Sequence, residues 1–282
     1  MRRATSHFAL LLSVLVLAAG CGRGCGRGRP APGPHSHRAA VPEHFVDLAR
    51  DGRLAIRSRD GPIRVRAGDV AQARVSGEVE GRSRWADEAK GLSQARLVRV
   101  GTDPDGRTLV EARSPRGRAI GATVHLEVTV PQGVDLLVET LGRGDIDVEG
   151  ITGPLTARAV EGAIRLRAVS GAVTASTRRL GAVEVSGAVA EMHVDAAGAA
   201  RVETTAPRLA RDSGVIARRG DAEVRVPADF AAVVSLAAPR GATSDDFSLP
   251  RADGGVAGAR LGAGGARLTI SSRRGNAALR RR

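Results

Sequence analysis

A step of eighteen residues recurs in the middle of the chain and constrains the fold more than any other feature. Leu137, Leu155 and Val173 stand at this spacing, and each opens a short apolar segment that ends near a glycine. A single coil of about twenty residues cannot bury an apolar face by itself. The period therefore predicts coils that stack on one another.

The repeat has a readable register. An apolar residue is followed seven positions later by glycine, nine later by a small or apolar residue, and eleven later by another apolar residue. This register holds in residues 54–65, 137–148 and 155–166, and it returns with weaker side chains in residues 268–279. Glycine suits the corner between two strands because it adopts positive φ without steric cost.

These features predict an all-β fold, a right-handed parallel β-solenoid or β-roll of short strands. Strands of successive coils stack in parallel, and parallel crossovers are right-handed in nearly all proteins. An antiparallel β-sandwich is the alternative, because strands spaced at about 8–12 residues fit that architecture as well.

Residues 1–20 have the composition of an export signal. Arg2 and Arg3 provide the positive end, and the apolar run that follows is shorter than the about 20 residues that span a bilayer. The sequence Leu-Ala-Ala-Gly-Cys at 17–21 resembles the lipobox of bacterial lipoproteins, which implies that Cys21 is the lipid attachment site. An ordinary secretory signal is the alternative. Gly22, where inner-membrane lipoproteins carry Asp, is similar to the outer-membrane sorting pattern of Gram-negative bacteria.

Composition divides the remaining chain into three parts. Residues 21–42 are rich in Gly, Pro and Arg and predict a disordered tether, because they cannot bury enough apolar surface to fold. Residues 43–121 predict a small β-rich N-terminal capping section with a short helix, and residues 122–282 predict the solenoid of β-strand repeats. Both cysteines precede residue 26, so we expect neither disulfides nor thiolate ligands in the body.

The chain is strongly basic, with a formal net charge of +13 that is carried almost entirely by arginine. A basic exported surface favours anionic lipid headgroups, an anionic envelope polymer or nucleic acid as partners. Abundant Arg, Ala and Gly with almost no Lys is also what a GC-rich genome encodes, and this compositional interpretation is the favoured one. With no tyrosine and one tryptophan, the chain lacks the aromatic faces on which single-stranded nucleic acid stacks. The predicted basic face consists of Arg158, Arg165, Arg167, Arg178 and Arg179.

Familiar catalytic motifs are missing from the sequence, which has no Gly-x-Ser-x-Gly elbow, His-Glu-x-x-His helix or phosphate loop. Asp145 and Asp147 would project from one side of a strand and could begin a cation site. The next repeat places Ala163 and Arg165 at those positions, and calcium takes about 6–8 oxygen ligands. His125 is interpreted as a solvent-facing strand residue. We therefore predict no catalytic residue, no metal and no cofactor.

A strand ending in Val-Pro, residues 124–131, precedes three turns of similar sequence: Gly-Asp-Ile at 144–146, Gly-Ala-Ile at 162–164 and Gly-Ala-Val at 181–183. This arrangement resembles the bacterial putative-adhesin β-strand repeat family, over roughly residues 50–280. The resemblance implies a β-strand repeat fold. It implies no catalytic residues, because the family is functionally uncharacterised.

Together these features predict a lipid-anchored module of the bacterial cell envelope with a binding, adhesin-like or structural role and no catalysis. The expected location is the outer membrane, on its periplasmic or surface face. The expected partners are the membrane, through the N-terminal lipid, and an anionic envelope polymer or envelope protein, with no specific nucleic acid. A polysaccharide-active β-helix enzyme is one alternative, which acidic residues clustered in one groove would favour. An envelope-stress sensor acting through a protein partner is another, which an exposed apolar edge would favour.

Overall fold

The computed structural model describes part of the chain, and the predicted signal peptide, Cys21 and most of the predicted tether lie outside that part. The described residues are 35–48, 51–95, 97–114, 121–250 and 255–282. They form 22 strands and one α-helix. In chain order these are β1 (His35–Val46), β2 (Arg53–Ser58), β3 (Ile63–Gly68), β4 (Ala73–Ser83), α1 (Ala86–Ser93), β5 (Val98–Thr102), β6 (Thr108–Ala112), β7 (Gly121–Pro131), β8 (Asp135–Arg143), β9 (Ile146–Glu149), β10 (Leu155–Glu161), β11 (Ile164–Val169), β12 (Val173–Leu180), β13 (Val183–Gly187), β14 (Met192–Ala196), β15 (Ala200–Thr204), β16 (Ser213–Ala217), β17 (Ala222–Val226), β18 (Ala232–Ala237), β19 (Thr243–Asp245), β20 (Gly255–Leu261), β21 (Arg267–Ser272) and β22 (Ala277–Arg281).

The strands form two eleven-stranded sheets that bury their inner sides in one apolar core. Sheet A has the order β1-β4-β7-β3-β9-β11-β13-β15-β17-β22-β19, and sheet B has the order β5-β6-β2-β8-β10-β12-β14-β16-β21-β18-β20. From β8 to β17 consecutive strands alternate between the sheets, and all their pairings with one another are parallel. Each coil thus gives one strand to each sheet. The predicted all-β solenoid is confirmed, and the antiparallel sandwich is wrong for this body.

The order of coils in the stack differs from the order in the chain near both ends. The coil β2–β3 lies between β6–β7 and β8–β9, and the coil β21–β22 lies between β16–β17 and β18–β19. Residues 53–68 therefore form an internal coil, although the sequence analysis assigns them to the capping section. The apolar register explains this placement, because Ile63 faces Leu126 on one neighbouring strand and Ile146 on the other.

Antiparallel strands lie at both ends of the stack. β4 pairs antiparallel with β7, β1 pairs antiparallel with β4, and α1 packs against both β1 and β4. At the other end β20 pairs antiparallel with β18. These strands cover parallel edges that would otherwise expose unpaired backbone groups. The predicted tether extends too far, because residues 35–42 belong to β1, where Val41 is buried and the backbone is paired.

Apolar columns fill the space between the sheets. Ile146 lies in register with Ile63, and both side chains are fully buried. In sheet B, Leu155 pairs with Leu136 and not with Leu137, so the first structural step is nineteen residues where the sequence suggests eighteen. The reason is the alternation of side chains along a strand, which turns Leu137 to the opposite side of β8 from the core column.

Candidate functional site

One edge of the solenoid, where each sheet B strand turns into a sheet A strand, is lined by a column of glycines that we call the glycine corner. In stack order its glycines are Gly61, Gly144, Gly162, Gly181, Gly198, Gly220, Gly275 and Gly241. Gly162 has a φ of +145°, and a Cβ there would overlap the carbonyl group of Gly144 in the adjacent coil. The coils therefore meet backbone to backbone along this edge, which explains the seven-residue spacing from apolar residue to glycine.

Polar side chains after the glycines hold the coils in register. The Asp145 carboxylate accepts a hydrogen bond from the backbone N–H of Ala163 at 2.8 Å. Asp221 accepts one from the N–H of Asn276 at 2.7 Å, and Asn276 Oδ1 accepts one from the N–H of Ala242 at 2.9 Å. Each bond joins neighbouring coils. Asp145 thus serves the backbone, and Arg165 contacts both Asp145 and Asp147, which leaves no open cation site there.

The outer face of sheet A carries a row of charges that alternate in sign from coil to coil. In stack order the row is Glu127, Arg64, Asp147, Arg165, Glu184, Arg201 and Glu223. Its ion pairs include Arg64–Glu127 at 3.6 Å and Arg201–Glu223 at 3.8 Å. Opposite charges on directly paired positions stabilise a sheet. The row therefore neutralises itself and presents no single sign of charge to a ligand.

The five arginines of the predicted basic face do not share one face. Arg158 lies on the outer side of sheet B, Arg165 and Arg167 lie on sheet A, and Arg178 and Arg179 lie near the end of β12. Three of them are paired with carboxylates, including Arg158 with Glu139 at 3.2 Å. Residues close in sequence separate in this way because the chain changes sheets within each coil. The five arginines are therefore spread over both sheets and the glycine corner, and a role for them in binding stays a prediction.

The N-terminal half of the glycine corner neutralises its own charges. The Glu161 carboxylate contacts Arg179 and Arg143, each at 3.2 Å. Hydrogen bonds from Arg179 and then Arg143 hold the pKa of Glu161 below its ordinary value. The Asp60 carboxylate accepts a hydrogen bond from the backbone N–H of Arg143 at 3.2 Å. Arginine and carboxylate thus alternate along this half.

The C-terminal half of the glycine corner carries three like charges, which we call the arginine corner: Arg219, Arg274 and Arg240. Each directly precedes a corner glycine. Three residues after these arginines stand Ala222, Ala277 and Thr243, which pair in register on adjacent strands. All three are exposed, and within the described part of the chain none has a carboxylate within 4.0 Å. They line a shallow groove of about 640 Å³ together with Arg201, Asp221, Glu223 and Asn276.

Sequence reasoning missed the arginine corner, although a signal for it exists. The dipeptide Arg-Gly occurs at the glycine position of four repeats, 143–144, 219–220, 240–241 and 274–275, and the last three form the arginine corner. In chain order the three are separated by unrelated segments. Only the insertion of β21–β22 between β16–β17 and β18–β19 makes them neighbours.

An apolar groove of about 600 Å³ lies at the other end of the molecule, between β1, α1 and β5. Its lining includes Val41, Pro42, Val79, Leu97 and Val98. The surface elsewhere also exposes Phe45 and Trp85, the latter at 73%. The described residues contain no group of three or more His, Cys, Asp or Glu side chains placed to hold a metal ion. They also contain no helix that is both long and apolar enough to cross a membrane.

No protein-family model matches the chain, and a search of curated proteins finds no relative. Among the solved structures that are similar to the chain are the following two. One is a putative cell adhesion protein from Clostridium sporogenes, with 8% identity and a TM-score of 0.37 over 88% of this chain and 100% of that one. The other is a putative adhesin from Bacteroides fragilis, with 12% identity and a TM-score of 0.38 over 86% of this chain and 97% of that one.

Proposed function

We propose that this chain is a lipid-anchored module of the bacterial cell envelope that binds or supports envelope components and catalyses no reaction. The observation that carries the proposal is the pairing of carboxylates with arginines from neighbouring coils, on both sheet faces and along the glycine corner. Glu139, for example, contacts Arg57 at 2.7 Å and Arg158 at 3.2 Å. A rigid stack with such a surface is suited to binding or supporting other envelope components.

The pKa values of the carboxyl groups support a non-catalytic role. A general acid that works near neutral pH needs a raised carboxyl pKa. The shifts that are resolved go the other way: hydrogen bonds from Arg82, from Arg179 and from the backbone N–H of Arg281 lower the pKa values of Glu80, Glu161 and Asp246, respectively. A polysaccharide-cleaving enzyme would instead need unpaired acids that converge in a groove.

Lipid attachment at Cys21 is the part of the proposal that fixes the location. Several acyl chains hold a protein on a membrane far more firmly than one chain does. The test is to express the chain with and without Cys21→Ala and to separate membranes from soluble fractions. We expect wild type in the outer-membrane fraction and the variant in the soluble fraction. Equal distribution of the two would contradict the anchor.

The absence of catalysis is tested separately. Purified protein is incubated with acidic and neutral envelope polysaccharides, and the release of new reducing ends is measured. We expect no release above that of a heat-denatured sample. Release that depends on folded protein would contradict the proposal and favour a polysaccharide-active enzyme.

A role through a protein partner is the second candidate function, favoured by the apolar groove beside α1. Apolar grooves rimmed by polar residues are typical of protein contact sites. The exposed Ala40 lines this groove, so Ala40→Glu places a charge in it without disturbing the core. Crosslinking in intact cells should recover one envelope protein with wild type and not with Ala40→Glu. Identical recovery with both would remove this candidate.

A further inference from the structure

The arginine corner places one arginine on each of three successive coils. Arg219, Arg274 and Arg240 occupy equivalent positions before Gly220, Gly275 and Gly241. A Cβ on Gly275 would overlap the carbonyl of Gly220, so these coils are in direct backbone contact. Neighbouring strands of a sheet lie about 4.8 Å apart. The backbones of the three arginines therefore follow one another along the stack at about 5 Å per coil.

Three carboxylates line the groove beside this line of arginines. Two of them are already engaged, and the third, Glu184, has no ion pair in the described part of the chain. Asp221 accepts a hydrogen bond from the backbone N–H of Asn276, and Glu223 contacts Arg225 at 2.6 Å and Arg201 at 3.8 Å.

Like charges on adjacent rungs destabilise a sheet. The remainder of the glycine corner avoids them, because Asp60, Arg143 and Glu161 alternate in sign and Leu180 and Ala197 are uncharged. An external anion would supply the missing counter-charge.

The groove beside the line narrows the choice of anion. Its lining contains no aromatic side chain, which disfavours nucleic acid held by base stacking. The side-chain amide of Asn276 in the lining can donate a hydrogen bond to a hydroxyl group. Guanidinium forks bind carboxylates in a bidentate manner. A linear chain of sugars that carries carboxylates and hydroxyl groups matches this chemistry.

We propose that the arginine corner binds a linear acidic polysaccharide, with Arg219, Arg274 and Arg240 each contacting one carboxylate of the chain. This inference rests on the proposed function as an envelope-binding module and names the class of its ligand. The site is distinct from the basic face that the sequence suggested.

The test is calorimetric titration of the purified full chain with oligogalacturonate, at physiological ionic strength. The variant R219Q/R240Q/R274Q should bind about tenfold more weakly or worse, because three charge-assisted contacts are lost. The matched control is R84Q/R99Q/R208Q. It removes the same charge from exposed arginines without an ion pair in the described part of the chain, and it should change affinity by less than about twofold, because distant exposed charges are screened. The variant R219K/R240K/R274K keeps the charge and should recover only part of the affinity.

Three results would overturn the proposal. Equal loss in the corner and control variants would mean that diffuse charge attracts the polymer. Tighter binding of short-chain polyphosphate than of oligogalacturonate would assign the corner to phosphate. Equal binding of neutral dextran would remove charge from the recognition altogether. Thermal melting shows whether each variant is folded. If the glutamine variant is misfolded, partial loss of affinity in R219K/R240K/R274K is the test of the site. If wild type does not bind oligogalacturonate but still associates with membranes through Cys21, this inference alone is overturned and the proposed function stands.

Discussion

In the N-terminal half of the glycine corner, Arg143 and Arg179 share the carboxylate of Glu161, whereas the C-terminal half stacks the three unpaired arginines of the arginine corner. The two halves share the close contact between coils, although positive φ occurs at Gly61, Gly162 and Gly181 of the N-terminal half and at none of the three glycines of the arginine corner. Gly162 in one and Gly275 in the other both leave no room for a side chain, because the next coil lies against them. The comparison teaches that glycine and the coil-to-coil hydrogen bonds build the frame, while the residue before each glycine is free to vary in charge. We place binding in that variable position.

The largest expected effect concerns the shared backbone. Gly162→Val and Gly275→Val should each lower the free energy of unfolding by about 2–4 kcal/mol, because a Cβ would overlap the adjacent coil. The matched control is Gly214→Val in β16, where a Cβ meets nothing within 4 Å. Urea denaturation of the three variants measures the effect. A large loss in only one half would show that the halves differ in backbone as well as in charge.

The next effect concerns binding, and two substitutions test it by exchanging the charge patterns of the two halves. Arg274→Glu gives the C-terminal half an alternating row, so the affinity for oligogalacturonate should fall by about tenfold or more. Glu161→Arg gives the N-terminal half like charges on neighbouring coils, and it should create a second, weaker site. Titration of both variants tests the exchange. Undiminished binding by Arg274→Glu would contradict the assignment of the ligand to this half.

The same exchange should change stability slightly. Arg274→Glu relieves repulsion and permits exposed ion pairs, so the free energy of unfolding should rise by about 0.5 kcal/mol at low salt. Glu161→Arg should lower it. Added salt should reduce both differences, since exposed charges are screened. Differences that persist at about 1 M salt would show a steric rather than an electrostatic cause.

The smallest effect is a pH dependence confined to the N-terminal half. The pKa of Glu161 in the folded state lies below its ordinary value of 4.5, so its contribution to stability is present above that pH and is lost as the pH falls through the folded-state pKa. Wild type should therefore exceed Glu161→Gln in stability at neutral pH, and the difference should shrink below 4.5. Glu184→Gln, which removes a carboxylate without an ion pair in the described part of the chain, is the control. A difference that grows on acidification would contradict the pairing.

The repeat in the sequence was sufficient to predict the solenoid, because apolar columns and corner glycines are local properties of each coil. Gly162, Ile164 and Leu166 predict one corner and one buried strand wherever the coil lies in the stack. The order of the coils is a different kind of information. A coil can pair with any sheet edge that has a similar apolar column. No local sequence pattern therefore predicts that Ala277 lies between Ala222 and Thr243.

The functional residues were harder to predict for the same reason. A basic face was sought among arginines close in sequence, such as Arg165 and Arg167, and these are drawn into a self-neutralising surface. The arginine corner unites residues more than fifty positions apart, from Arg219 to Arg274. Charge on a solenoid depends on the neighbouring coil, so it can be interpreted only after the stack order is known.

Disulfide crosslinking tests that stack order most directly. Glu223, Ala278 and Ser244 lie in register on three adjacent strands, with Ala278 in the middle. In a background with Cys21→Ala and Cys25→Ala, the pairs Glu223→Cys with Ala278→Cys and Ala278→Cys with Ser244→Cys should oxidise readily. Adjacent strands are about 4.8 Å apart, within the reach of a disulfide. Glu223→Cys with Ser244→Cys should not crosslink, because two strand spacings exceed the about 7 Å limit. Efficient crosslinking of that last pair alone would place β19 directly beside β17 and would dismantle the arginine corner.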